Sequence, residues 1–233
     1  MTAPCHIGFL LFPHVTQLDL TGPAQILGRV PGAQVHLLWK SFAPVVTDVG
    51  FSINPTTVFA DCPQLDVLCV PGGFGIEYLL DDAATLGFLR RQGEAARYVT
   101  SVCNGALVLG AAGLLQGYRS ACHWMWRDYL PRYGAIPVAE RIVRDRNRMS
   151  GGGVTAGIDF GLALAAELAG EETAKTLQLA FEYDPQPPFD CGSPQAAGPE
   201  RVARLRALQG ERIARVEAKL PPEVRPPAPG VDA

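Results

Sequence analysis

A chain of 233 residues, 48% of them hydrophobic and 18% charged, is long enough to bury a sizeable core as one domain with at most a small appendage. Its formal net charge of −3 argues against a general nucleic-acid or anionic-membrane surface, and no apolar run reaches the length needed to span a bilayer. The six cysteines, at positions 5, 62, 69, 103, 122 and 191, have neither paired CxxC spacing nor the density of a disulfide scaffold, so a reducing cytoplasm is the expected setting.

The first apolar run, residues 7–12, is too short for the core of a signal peptide, has no basic leader, and reads as a strand. Further strands are expected at 34–39, 66–70 and 98–102, each near-continuously apolar, as in parallel strands covered on both faces. With His6 included, the opening strand is expected over 6–12. Helices are expected at 23–27, with Pro23 in the first turn, and at 83–96, 104–115, 124–133, 155–169 and 171–181. Residues 45–59 read as irregular β structure, and 141–150 as a hairpin turning at Asp145-Arg146-Asn147. After a proline-rich loop one more amphipathic helix is expected at 199–220, and the proline-rich stretch 221–233 as a disordered tail. The whole is therefore one α/β domain over 1–198, a terminal helix and a tail, with alternating strands and helices around a mostly parallel sheet.

In such a sheet ligands bind at the carboxyl ends of the strands, and three short motifs fall there. The run 98–102 ends at Cys103, followed at once by Asn104-Gly105 and a helix. A strand that turns sharply into a helix holds one side chain at a strained, exposed apex, and the helix N-terminus is expected to lower the pKa of a thiol placed there. A buried structural cysteine is the alternative. Asp19, in Leu18-Asp-Leu-Thr-Gly-Pro23, is the natural partner: flanked by leucines, it is expected to be desolvated, with a raised pKa and a proton to hold or move. Its alternative is a turn residue before the helix, with Thr21 the better cap. Gly72-Gly73 lets backbone approach a reacting atom, so the N–H groups of Gly73 and Asn104 are candidates for stabilising developing charge, against a plain tight turn. Gly151-Gly-Gly153 at a helix start serves either close approach to a ligand or packing beneath Cys103. His123 is a secondary candidate for a base, or a structural histidine beside Trp124. No cluster of Cys and His has metal-ligand spacing, so no metal is expected.

Together these residues resemble a family. Ser101-Val-Cys-Asn-Gly-Ala-Leu-Val-Leu-Gly110 and its continuation to Gly117, then His123-Trp124 and Gly151-Gly-Gly-Val-Thr-Ala-Gly-Ile-Asp159, resemble the PfpI-type branch of the class I glutamine amidotransferase-like superfamily. Within it, residues 7–13, the Gln17-Leu-Asp-Leu-Thr-Gly-Pro23 segment and residues 183–194 are similar to the isocyanide hydratases. The resemblance implies a flavodoxin-like three-layer α/β sandwich, a homodimer without metal or organic cofactor, and addition of water to an isocyanide to give an N-substituted formamide through a covalent cysteine thioimidate. It assigns Cys103 as nucleophile and Asp19 as general acid/base. Gly73 and Asn104 would offer backbone N–H groups near the substrate, and Gly152 and Val154 would line the floor of the site.

The chain departs from the pattern at Asn104, where the hydratases usually carry Thr and the protease-like members His. Relatives with glyoxalase or deglycase activity usually carry Glu where this chain has Asp19. Two alternatives stay open: the ligand-sensing half of AraC-like regulators, disfavoured by the acidic charge and the single remaining helix, and a deglycase or redox-stress protein of the same superfamily.

Overall fold

The near-continuously apolar runs become the strands of one sheet. In the computed structural model, which describes residues 4–222, the elements are β1 (Cys5–Leu10), α1 (Gln17–Leu27), β2 (Ala33–Trp39), the short strands β3 (Val45–Val46), β4 (Ser52–Ile53) and β5 (Thr57–Val58), then β6 (Val67–Val70), α2 (Ala83–Ala95), β7 (Tyr98–Val102) and α3 (Gly105–Ala111). They continue with β8 (Arg119–Ser120), β9 (Ile136–Pro137), the hairpin β10 (Ile142–Asp145) and β11 (Arg148–Gly151), α4 (Ala156–Ala169), α5 (Glu171–Ala180), α6 (Pro194–Ala197), α7 (Pro199–Leu208) and α8 (Gly210–Glu217).

The main sheet has seven strands in the order β10-β11-β7-β6-β1-β2-β5. Every pairing is parallel except the β10–β11 hairpin. The central strands β6 and β7 are buried at every residue, as strands covered on both faces must be. Helices α1, α4 and α5 pack together, and α2 and α3 form a second group. Around them Ile7, Phe9, Phe12, Leu68 and Phe160 are fully buried. This is the flavodoxin-like α/β arrangement. Among the described residues no helix is long and apolar enough to cross a membrane.

Four expectations are corrected. Helix α1 starts at Gln17, so Pro23 lies inside it and Thr16, not Thr21, precedes its first turn; the Thr21 hydroxyl donates to Gln17 Oε1 at 2.8 Å. The Gly22-Pro23 pair, expected to lead into the helix, is a contact surface inside it. A Cβ at Gly22 would stand 3.3 Å from Ile158 Cγ1, and one at Gly157 of α4 would stand 3.1 Å from Pro23 Cδ. Close crossing of α1 and α4 thus outweighs local helix preference. Helix α3 stops at Ala111 because Gly113, at φ 79°, supplies the left-handed residue that ends a helix. Residues 127–133 form a 3-10 segment around Pro131 rather than an α-helix, since proline removes a donor. The terminal helix expected over 199–220 is two helices, broken at Gln209-Gly210. The expected tail lies outside the described residues apart from Pro221 and Pro222.

Candidate active site

Strands β6 and β7 run side by side, with Val70 paired to Ser101, so the loops that leave their carboxyl ends meet. At the end of β7 Cys103 takes φ 59°, a left-handed conformation that costs a side-chain-bearing residue roughly 1–2 kcal/mol. The turn is held from both sides. The Cys103 N–H donates to Gly151 O at 3.1 Å, and a Cβ at Gly105 would stand 2.6 Å from Pro71 O and closer still to Val70 O. Only glycine fits after Asn104, so the Cys-Asn-Gly order is a steric requirement of the sharp strand-to-helix turn.

Asp19, in the first turn of α1, is fully buried and faces this thiol. Its Oδ2 accepts the Gly72 N–H at 2.9 Å. Its Oδ1 is buried and no donor in ordinary hydrogen-bond geometry reaches it, yet the Cys103 thiol lies close enough that each group perturbs the other's titration. Burial pushes the Asp19 carboxyl up to about 7; the Gly72 N–H and the Cys103 thiol oppose this, and the Asp48 charge adds to it. The approach is tight: a Cβ at Gly72 would stand 2.8 Å from both Asp19 Oδ2 and Cys103 Cβ, and would collide with Asn104 Oδ1.

The exposed, low-pKa thiol expected from the sequence is not found. Cys103 is 6% exposed, and burial raises its pKa well above the ordinary value, with Asp19 and Cys122 adding to the rise. The Asn104 N–H directed at the sulfur lowers it by less. The dipole of the seven-residue α3 is outweighed by the cost of a second negative charge beside a buried carboxylate. Burial also pushes Cys69 up to about 12, so what sets Cys103 apart is its strained turn, its carboxyl neighbour and its cavity.

That cavity, of about 240 Å³, has Cys103, Asn104 and Gly73 at its base, Phe74, Met125, Trp126 and Val154 around it, and Leu205 and Gln209 over it. Asn104 clamps the β6 loop: its Oδ1 accepts the Gly73 N–H at 2.8 Å and its Nδ2 donates to Gly73 O at 3.2 Å. The Gly73 N–H is therefore committed within the protein, and Gly73 itself, at φ 142°, has its missing Cβ within 2.5 Å of His14 O. Val154 lines the cavity. Gly152 does not; it lines the adjoining groove and its N–H donates to Arg141 O at 2.9 Å. His123 lines the cavity, accepts the Met125 N–H at 3.3 Å and is pushed down to about 4 by burial, so it is a neutral imidazole. Among the described residues no group of three or more His, Cys, Asp or Glu side chains is placed to hold a metal ion.

Sequence reasoning missed Asp48, Met125, Trp126, Leu205 and Gln209. Phe74, the residue after the flagged Gly72-Gly73 pair, and Met125 and Trp126, just after the flagged His123, carried a local signal. The others reach the cavity only through long-range packing.

Comparison with known proteins bears on this geometry. The model of the DJ-1/PfpI family matches residues 6–167. An isonitrile hydratase of Pseudomonas putida is 57% identical over 221 residues, which is 92% of this chain and 97% of that protein. The HTH-type transcriptional regulator GbdR of Pseudomonas aeruginosa is 29% identical over 192 residues, 78% of this chain but 51% of the regulator. Among solved structures, a ThiJ/PfpI family protein from Pseudomonas syringae superposes with a TM-score of 0.90 at 44% identity, covering 94% of this chain and 91% of that one.

Proposed function

The chain belongs to the DJ-1/PfpI family, and from that premise we propose that it is an isocyanide hydratase, adding water to an isocyanide (isonitrile) to release an N-substituted formamide. The substrate class comes from the relative that shares 57% of its residues. The chemistry rests on one observation: Cys103, on a strained turn at the base of a cavity, lies against a buried carboxyl whose pKa of about 7 lets it give and take a proton near neutrality.

With the thiol pKa well above that of Asp19, the resting pair above about pH 7 is Cys103 thiol and Asp19 carboxylate. As sulfur bonds to the terminal isocyanide carbon, Asp19 takes the thiol proton and passes it to that carbon, giving an uncharged thioimidate. A burial that opposes negative charge favours this neutral path over a free thiolate. Asp19 then removes a proton from water as its oxygen adds to the same carbon, and hands that proton to the nitrogen, which returns Asp19 to its carboxylate. The carbon–sulfur bond breaks, the hydroxyl proton returns to sulfur, and the formamide leaves. Asn104 and Gly73 serve by fixing the loop that holds Gly72 against Asp19, and Val154 bounds the substrate. His123, neutral and bonded to backbone, shapes the wall.

The test is direct. Purified protein with a simple alkyl isocyanide forms the formamide, and Cys103→Ala and Asp19→Asn each lose at least about 1,000-fold in kcat/KM. Wild-type protein that forms none overturns the assignment, and wild-type rates in either variant overturn the mechanism. The same reading carries a homodimer in a reducing cytoplasm, in keeping with six free cysteines; sedimentation at micromolar concentration checks the dimer.

A further inference from the structure

The cavity wall holds a carboxylate that the hydration does not use. Asp48 stands in the turn between β3 and β4, where the Thr47 N–H and hydroxyl both bond to Phe51 O, at 2.9 and 2.8 Å. Its own N–H donates to Val15 O at 3.0 Å, which fastens the turn to the loop entering α1. Asp48 is one of the residues lining the Cys103 cavity. Its Oδ1 is buried, and no protein group among the described residues donates to it.

A buried carboxylate oxygen without a donor is costly, and such groups in native proteins mark a function or a missing partner. The surroundings sharpen the point. Phe74, Met125, Trp126 and Leu205 offer the cavity's occupant apolar surface, and the Gln209 Oε1 already accepts from Arg212 at 3.2 Å. The Asp19 Oδ1 is accounted for by its place beside the thiol. Of the cavity's lining, Asp48 and Thr16 are then the polar residues that the hydration does not use, and Asp48 is the one that carries an acidic side chain.

We propose that Asp48 selects the substrate's N-substituent by accepting a hydrogen bond from a donor carried on it, a hydroxyl or an ammonium, while Phe74, Trp126 and Leu205 hold its apolar part. This rests on the hydratase reading of the site. The isocyanide carbon bonds to Cys103 at the base, so the substituent points away from the sulfur into the space these residues bound. At about 240 Å³ that space falls below the roughly 300–1,000 Å³ usual for ligand sites, which restricts the substituent to a compact one. A substituent ending in a carboxylate meets two acidic groups, Asp48 and Asp19, and is rejected by like charge.

A matched series of short alkyl isocyanides ending in methyl, hydroxyl, ammonium or carboxylate tests this with wild type, Asp48→Asn and Asp48→Ala. The quantity read is the ratio of kcat/KM for each substrate over the methyl-ended one. Asp48 also influences the titration of Asp19, but that alters the chemical step alike for every substrate, so the ratio isolates recognition. Wild type is expected to favour the hydroxyl- and ammonium-ended substrates by about 10-fold, the range of a hydrogen bond to a charged acceptor, and to disfavour the carboxylate. Asp48→Asn, which keeps an acceptor but loses the charge, retains part of the hydroxyl preference and loses the ammonium preference; Asp48→Ala loses both. Turnover of the methyl-ended substrate with no donor preference, or with a preference unchanged in Asp48→Ala, overturns the proposal alone, the oxygen then meeting only water. No formamide from any member of the series with wild type overturns the hydratase reading and the proposal with it.

Discussion

The base of the cavity and its roof are built on opposite terms. At the base Asp19, Gly72, Cys103, Asn104 and Gly105 are all buried, and the contacts are so close that neither Gly72 nor Gly105 has space for a methyl group. The roof, α7 and α8, buries only Val216. It is tied to the body by the Arg215–Glu77 and Lys219–Asp81 ion pairs, each at 2.8 Å, by a Tyr129–Glu217 hydrogen bond, and by Arg212 and Arg206 over the rings of Phe74 and Trp124. Local stability follows burial. Reacting groups that must keep their geometry lie where nothing can shift, whereas the surface that meets the substrate's variable part rests on exposed, separable contacts.

The strongest test of the base is Asp19→Asn, read as stability against pH. The folded pKa of about 7 lies above an unfolded value near 4. Between the two the unfolded chain releases this proton while the folded one keeps it, so wild type loses stability as pH rises through that window. The asparagine variant has no such loss. Its unfolding free energy relative to wild type should climb between pH 4 and pH 8 by on the order of a few kcal/mol, read from denaturant titrations; a constant offset would show that Asp19 titrates normally. The same pKa predicts that wild-type kcat/KM rises toward a plateau above about pH 7, as the carboxylate that accepts the thiol proton forms.

Gly72→Ala comes next. The added methyl must displace Asp19, Cys103 or Asn104, and overpacking of this kind costs about 1–3 kcal/mol. Because a misplacement of the reacting pair is worth roughly 100-fold, kcat should fall by about that factor with KM little changed. A fully active variant would show that the base is more yielding than its contacts imply. At the roof, Leu205→Ala should raise KM about threefold to tenfold for apolar substrates, the effect of removing a partly exposed side chain's contact, and leave kcat as it is. A fall in kcat would mean that the roof takes part in the chemistry. The smallest effect belongs to Arg215→Ala. It removes the exposed partner of the buried Glu77 carboxylate, so some stability is lost, while KM, set by residues that Arg215 does not join in lining the cavity, should change by less than about twofold.

The same contrast explains what was legible in the sequence. The strands were plain because β6 and β7 are covered on both faces and so are apolar throughout. The Cys103 turn was plain because its steric demands fall on consecutive residues. The start of α1 was misread because Gly22 and Pro23, locally signs of a helix start, face α4 across a close helix crossing. The acidity of the thiol was misjudged because it depends on burial, and the groups that bury it, Met125, Trp126 and the roof, lie far along the chain. Asp48 was invisible for a related reason: it sits in an irregular stretch with no periodic pattern, and only the fastening of its turn to Val15 brings it to the cavity.

The roof is one uninterrupted stretch, broken only at Gln209-Gly210, and it lies beyond residue 167, where the family match stops. A change in its two helices alters the upper wall of the cavity, through Leu205 and Gln209, while the hydrogen bonds that hold the Cys103 turn to Gly151 and Asp19 to Gly72 lie wholly outside them.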